Sequence, residues 1–157
     1  MPDRAPSPLD LLDDIGLHLL RELQRDARQS FADLARQVGL TPPAVAERVR
    51  RMEATGLIQG YRAEVNRAAL GLKLTAFVRV RTYPGHDRDL EIFAHDRREV
   101  LECHEVAGED SYMLKVAAMD VPHFNRVLTA ISAFGATHST MILSTKTGPR
   151  PLEPFEP

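Results

Sequence analysis

Between Ser30 and Gly56 the chain carries two short runs of helical periodicity with about three residues between them, and few folds accept such a pair. Phe31, Leu34, Ala35 and Val38 recur at i, i+3, i+4 and i+7 and form one apolar face. Ser30 and Asp33 have capping-box spacing, in which the hydroxyl accepts an early backbone N–H and the acid reaches back. Gly39 supplies a left-handed stop. After Leu40, Thr41 stands at an N-cap, and Pro42 takes the first helical position, which tolerates proline. Val45, Val49 and Met52 then point inward, and Gly56 ends the run. Two helices joined by so short a turn with a glycine in it predict a helix-turn-helix.

With Val45, Val49 and Met52 inside, Pro43, Glu47, Arg50, Arg51 and Ala54 look outward, and Ala44 and Arg48 lie on the flank. From Arg36 to Arg62 there are five Arg against Glu47 and Glu53, a local +3 in a chain of formal net charge −2. Any nucleic-acid surface is therefore a local patch. A major groove admits such a helix, with its first residues at base edges and its arginines on phosphates. The expected interface with double-stranded DNA is Thr41, Pro43, Ala44, Glu47, Arg48, Arg50 and Arg51. Glu47 has two readings, as acceptor for a cytosine amine or as partner of Arg50 or Arg51. The plain alternative for the whole face is a solvated helix surface.

A further helix precedes this pair, with Asp13 as its N-cap and Ile15, Leu19 and Leu23 as its buried stripe. Beyond Leu57 the period changes. Leu74–Val80, Val100–Ala107, Tyr112–Ala118 and Thr137–Thr145 alternate as strands. Leu90 and Phe93 mark a helix beginning after Gly85, and Asp120 caps another that carries Phe124, Val127, Leu128 and Ile131. The order βαββαβ predicts an α+β chain whose second half is an antiparallel sheet with both helices on one face, the ferredoxin-like arrangement. Seven of the 11 prolines lie near the two ends, which are expected to be extended or mobile. The expected organisation is a tail over 1–8, the helix-turn-helix domain over 9–58, a linker over 59–72, a sheet domain over 73–147 and a Pro-rich tail over 148–157. The linker should hold a short strand, a turn near Asn66 and a return.

No apolar run approaches the roughly 18 to 20 residues that a membrane helix requires, and Met1–Pro8 lacks the apolar core of a secretory signal. The lone Cys103 makes no internal disulfide, which fits a reducing, cytoplasmic setting. His86, His95, His104, His123 and His138 are scattered, and Cys103 and His104 fall on opposite strand faces, so neither metal nor cofactor is expected. Cys103 reads as packing and His104 as a sheet or interface residue. Asp87, Asp89, Glu91 and Asp96 read as a solvated helix face. An uncovered sheet face should leave Phe77 or Val78 needing a partner, which predicts self-association.

Several segments carry a wider likeness. Gln24-Arg25-Asp26-Ala27-Arg28, Val38-Gly39-Leu40-Thr41, Arg48-Val49-Arg50-Arg51-Met52-Glu53, Gly56-Leu57-Ile58 and Gly60-Tyr61 lie in the first half. Glu102–Gly108 leading into Tyr112-Met113-Leu114-Lys115-Val116 lies in the second. Together, from about Leu12 to about Thr147, they resemble the Lrp/AsnC (leucine-responsive and asparagine-responsive) transcription regulators.

The resemblance implies a winged helix-turn-helix followed by an ACT-like (RAM) domain that dimerises. It also implies assembly of dimers into larger species, octamers among them, and an amino-acid effector held between subunits. The family's Gly-x-x-Asp-Tyr loop falls on Gly108, Glu109, Asp110, Ser111 and Tyr112, with Ser111 where Asp is usual. A serine accepts a hydrogen bond from an ammonium but adds no charge. Thr137-His138-Ser139 matches a Thr-x-Thr pattern suited to a carboxylate. The implied effector residues are thus Gly108, Asp110, Ser111, Tyr112, Thr137 and Ser139. Gly16 departs from a position that is often acidic in the family. The expected function is a DNA-binding transcriptional regulator modulated by a small molecule, and not an enzyme. The alternatives are an enzyme of similar architecture, as in siroheme decarboxylase, and a sensing or assembly module that does not bind DNA. The first needs His or Arg converging on a large pocket, and the second a degenerate helix-turn-helix.

Overall fold

The computed structural model describes residues 7–154; most of the expected N-terminal tail and the last three residues lie outside them. The chain divides into two compact units. One runs to Ala63 and takes in the segment from Gly148, and the other is Glu64–Thr147.

The first unit is helical. A 3-10 turn, Pro8–Leu11, leads into α1 (Asp14–Arg25), α2 (Phe31–Val38) and α3 (Pro42–Ala54). Asp13 caps α1 as expected, accepting the Gly16 N–H at 2.8 Å. Gly16 is required by close approach, because a Cβ there would overlap the Leu11 carbonyl oxygen. That accounts for its departure from the family's acidic position. At α2 the expected box forms by half. Ser30 Oγ accepts from the Asp33 N–H, while the Asp33 carboxylate takes the Ser30 hydroxyl proton at 2.6 Å and not the backbone N–H. Gly39 closes α2 at φ +68°, the left-handed conformation that favours glycine.

Thr41 occupies the N-cap of α3, but its side chain makes no capping bond. Pro42 and Pro43 fill the first two helical positions and have no N–H to cap. Leu19, Leu23, Leu34, Ala35, Val45 and Val49 form the core of this unit, with Ile15, Val38, Leu40 and Ile58 against it.

The expected linker strand is absent. No residue of 59–72 joins a strand, so the implied wing is irregular, and only the turn that follows Asn66 forms, with Asn66 Oδ1 accepting the Ala69 N–H at 3.2 Å. Its side chains are almost all exposed, so no buried face supports a ladder there. The C-terminal segment is extended, as expected, but it is attached. Leu152 N–H and C=O exchange hydrogen bonds with the Gln24 carboxamide at 2.7 and 2.9 Å, and Arg21 forks onto Glu153 at 2.7 and 2.9 Å.

The second unit runs β1 (Leu74–Thr82), α4 (Asp87–Asp96), β2 (Val100–Glu105), β3 (Tyr112–Ala118), α5 (Val121–Ile131) and β4 (Gly135–Met141). The sheet is antiparallel with order β2-β3-β1-β4, the expected βαββαβ arrangement. Ala76, Val78 and Val80 share a core with Leu114, Val116, Leu90, Phe124 and Ile131. Val78 is therefore fully buried and needs no partner, contrary to expectation, whereas Phe77 on the other face is 38% exposed.

β4 starts two residues early and ends at Met141, not Thr145. Gly135 opens it beside Thr82, where a Cβ would overlap the Arg81 carbonyl. One further bond follows the paired rows, from the Ile142 N–H to Thr75 O at 2.8 Å. β2 likewise ends at Glu105, short of Ala107. Among the described residues no helix is long and apolar enough to cross a membrane.

Candidate nucleic-acid interface and effector loop

On α3, Val45, Val49 and Met52 are buried, which turns Pro43, Glu47, Arg50 and Arg51 to solvent and leaves Ala44 half-buried. Thr41 is exposed at the helix start with its hydroxyl unused by the cap. Glu47 lies 3.7 Å from Arg50, a loose pair between side chains that are both more than 60% exposed. Such pairs contribute little, so Arg50 remains available. Arg51 has no acidic partner among the described residues.

Arg48 departs from expectation. Its guanidinium forks onto Asp13 at 2.8 and 3.0 Å, so this carboxylate both caps α1 and anchors α3. The Arg48 hydrogen bonds, followed by the Gly16 N–H, hold the Asp13 carboxyl below the usual carboxylate range. Arg48 is thus engaged within the chain while still one-third exposed. Its spacing on the helix flank is compatible with either role, and only the neighbouring helix decides.

Tyr61 is a residue the sequence reading did not single out. Its hydroxyl donates to Glu53 at 2.9 Å, and burial together with that carboxylate pushes its phenol up to about 12. The bond ties the extended segment after α3 back to the C-terminal end of that helix. Tyr at this distance from a helical acid is the only signal, and it is weak.

The residues implied for an effector are distributed differently. Gly108 has φ +146°, disfavoured for L side chains, and open space where a Cβ would stand. Asp110 turns to Arg79 at 3.4 Å and is only 15% exposed. Ser111 Oγ lies 3.0 Å from Thr82 Oγ1 and donates to it, since the one Thr82 proton goes to Asp87, and the Ser111 backbone N–H donates to Val80 O at 2.8 Å. Tyr112 is buried, with its hydroxyl donating to Glu91 at 2.7 Å. That bond, then burial, raises the phenol well above its ordinary range.

Thr137 lies beside Val80 and Ser139 beside Val78, in register with the rows that hold Tyr112 and Leu114. Within one chain the six residues do not gather in one cavity: Asp110, Ser111 and Tyr112 are each engaged internally, and Thr137 and Ser139 lie two strands away. Glu91 and Asp87 are exposed, as expected of a solvated face, and they also accept from Tyr112 and Thr82.

The remaining polar groups are similarly local. Cys103 and His104 fall on opposite faces, paired with Leu114 and Met113. Cys103 lies on the exposed edge strand and not in a packed interior, although partial burial still pushes its thiol up. His104 sits 3.5 Å from Glu102, which also takes Lys115 at 2.7 Å. No group of three His, Cys, Asp or Glu suited to a metal occurs among the described residues.

Two short helices with a basic outward face, followed by a four-stranded sheet with two helices on one side, define a DNA-binding transcription regulator with an appended α+β domain. The AsnC-type helix-turn-helix domain matches residues 12–53, and the Lrp/AsnC ligand binding domain matches residues 75–151; the chain belongs to the Lrp/AsnC family. It is 40% identical over 139 residues to the HTH-type transcriptional regulator LrpA of Mycobacterium tuberculosis, covering 87% of this chain and 93% of that protein. It is 37% identical to the leucine-responsive regulatory protein of Escherichia coli K12, covering 82% and 80%. The structure of the feast or famine regulatory protein from Mycobacterium tuberculosis complexed with L-methionine superposes with TM-score 0.84 at 38% identity, covering 91% of this chain and 99% of that one. The first is a transcriptional regulator by name, and the other two are regulatory proteins by name.

Proposed function

We propose that this cytoplasmic regulator binds double-stranded DNA as a homodimer, or a larger assembly of dimers, through the outward face of α3. Thr41, Pro43, Ala44 and Glu47 face base edges while Arg50 and Arg51 hold phosphates, and Arg48 fixes the helix from behind. The exposed, weakly partnered Arg50 and Arg51 carry this reading. Two such helices in a dimer suit half-sites about one helical turn, roughly 34 Å, apart. Phe77 on the uncovered sheet face favours the assembly, since an exposed aromatic among strands invites a second copy.

An amino acid is the effector that the L-methionine complex of the relative suggests. The proposed site is formed between subunits by the Gly108–Tyr112 loop and the Thr137–Ser139 strand. Support comes from the open space and unusual φ at Gly108, which let backbone approach a carboxylate. Ser111 carries no charge and is bonded to Thr82, so ammonium recognition by this loop is expected to be weak. A ligand can switch such a protein only by binding two assembly or DNA-bound states differently.

The test is a fluorescence-polarisation titration on the protein's own upstream DNA at several salt concentrations, with and without a panel of amino acids. Salt-dependent binding altered by at least one amino acid is expected. Binding that no amino acid alters, together with a flat calorimetric titration, would remove the effector part and leave the DNA part standing.

A further inference from the structure

On the helical side of the sheet a hollow of about 280 Å³ opens between the end of α4 and α5, and neither the DNA interface nor the effector loop uses it. Phe93, Val127 and Ala130 give it apolar walls. The Phe93 ring is held by two neighbours, Phe134 with ring centroids 5.2 Å apart and the Arg97 guanidinium 4.9 Å from its centroid. A guanidinium stacked on a ring keeps its in-plane N–H fork free. Arg97 forms no ion pair among the described residues, and neither does Arg126 on α5; both are exposed. The other two polar side chains of the lining are already engaged. His123 Nδ1 accepts the Met119 N–H at 3.3 Å, so Nε2 carries the proton and donates to Glu99 at 3.2 Å. The Glu99 backbone N–H, with burial opposing it, then His123 and the Arg97 charge, hold the Glu99 carboxyl below the usual carboxylate range, so it is ionised. Two guanidiniums against one engaged carboxylate leave the hollow net positive, with free donors on Arg97 and Arg126.

We propose that this hollow binds a small monocarboxylate with an apolar body, the acid group held by Arg97 and Arg126 and the body against Phe93, Val127 and Ala130. A carboxylate takes parallel N–H bonds from a guanidinium, the charge-assisted geometry these two side chains offer. The volume lies at the lower end for ligand pockets, which suits one acid group with a phenyl or branched aliphatic body and not a nucleotide. An inorganic anion would leave the apolar walls uncovered, and a neutral apolar molecule would leave both guanidiniums unused. An ammonium group would meet only Glu99, which already accepts from His123 and from its own N–H, so a zwitterionic amino acid suits the hollow less well. None of the lining residues belongs to the Gly108–Tyr112 loop or to Thr137–Ser139, so the hollow is distinct from the proposed effector site.

The probe is para-fluorophenylacetate, titrated against the full chain at neutral pH and followed by fluorine NMR line broadening. Broadening that saturates with protein is expected. Arg97→Ala and Arg126→Ala should each weaken the apparent affinity about tenfold, the scale of one charge-assisted hydrogen bond. Both side chains are exposed, so circular dichroism should be unchanged in either variant. Ala130→Phe fills the hollow and should abolish the broadening. Para-fluorobenzyl alcohol keeps the ring and lacks the charge, and should bind about tenfold more weakly or worse. Absence of broadening with wild type overturns the proposal, as does an alcohol that matches the acetate, or an affinity indifferent to both arginine variants. Tighter binding of para-fluorophenylalanine than of the acetate would make the ligand a zwitterion and overturn the class proposed. Loss of binding in Gly108→Val would move the probe to the loop and overturn the assignment to this hollow.

Discussion

In the helical unit most side-chain polar contacts join close neighbours in sequence, such as Ser30 with Asp33, Arg25 with Glu22 and Arg50 with Glu47. In the sheet unit many join distant residues, among them Thr82 with Ser111, Arg81 with Glu109 and Tyr112 with Glu91. The helical unit therefore leaves its proposed contact side chains exposed, because local caps and buried stripes need few of them. The sheet unit uses the side chains of Asp110, Ser111 and Tyr112 to bind its elements together. A residue's availability for a ligand depends on how its element is held, and strands are held from far away. Asp13–Arg48 and Arg21–Glu153 are instructive exceptions, long-range ties of the helical unit, and the first occupies the guanidinium of Arg48 within the chain.

The contrast breaks first, and most visibly, on DNA. Replacing Arg50 and Arg51 by Ala removes four phosphate contacts per dimer in the proposed interface. Each neutralised phosphate contributes about 0.9 to the log–log salt slope, so the slope should fall by roughly three to four units. Arg48→Ala should instead lower the melting temperature and leave the slope nearly unchanged. Equal slopes for wild type and the double variant would take these arginines out of contact, and a large slope change for Arg48→Ala would return it to the interface.

The next largest effect separates the two faces of the sheet. Leu114→Ala should cost about 2–5 kcal/mol in chemical denaturation, because its side chain is fully buried. Phe77→Ala should cost less than about 1 kcal/mol in the fold and reduce the mass measured by light scattering. If both variants lose stability alike with the mass unchanged, the Phe77 face belongs to a core and not to an interface.

Asp13 gives a smaller effect with a definite pH signature. Asp13→Asn keeps a good N-cap residue but loses the charge that meets Arg48, and both partners are at least one-third exposed. Solvent screening limits the loss to about 1 kcal/mol or less. Because the folded carboxyl sits below its unfolded value of about 3.9, the unfolded state binds more protons as acid is added. The stabilisation is therefore complete above that value and lost as pH falls through the folded one. Wild type and Asp13→Asn should differ at pH 6 and converge toward pH 2. A constant gap over that range would remove the ion pair as its cause.

Ser111→Ala should have a similarly small effect, about 1 kcal/mol or less, from losing the hydroxyl bond to Thr82. Amino-acid binding measured by calorimetry should be little altered. A large loss of ligand affinity at unchanged stability would show that Ser111 serves the effector and not the sheet.

Much of the architecture was legible because its causes are local. Asp13, Ser30 and Gly39 announce helix ends by chemistry acting within four residues, and the alternation of Ala76, Val78 and Val80 announces a strand. The same local rules misjudged Thr41, whose hydroxyl makes no capping bond although Ala44 offers an N–H, and Val78, because alternation says that two faces differ and not which is covered. They also read the 148–157 segment as a loose tail, since no local signal shows that Gln24 and Arg21 hold Leu152 and Glu153.

The sequence by itself determined the two helices around Gly39, the basic face of α3, the βαββαβ order and the family. Each of these depends on periodicity, capping and charge counted along the chain. Only the tertiary structure decided that Arg48 belongs to Asp13, that Asp110 turns to Arg79, that Tyr112 reaches Glu91 and that the C-terminal segment lies on α1. Those pairings depend on strand register and helix packing between residues 21 to 132 positions apart. A hydrogen bond acts over about 3 Å, and nothing in a linear pattern specifies which distant side chain will come within that reach.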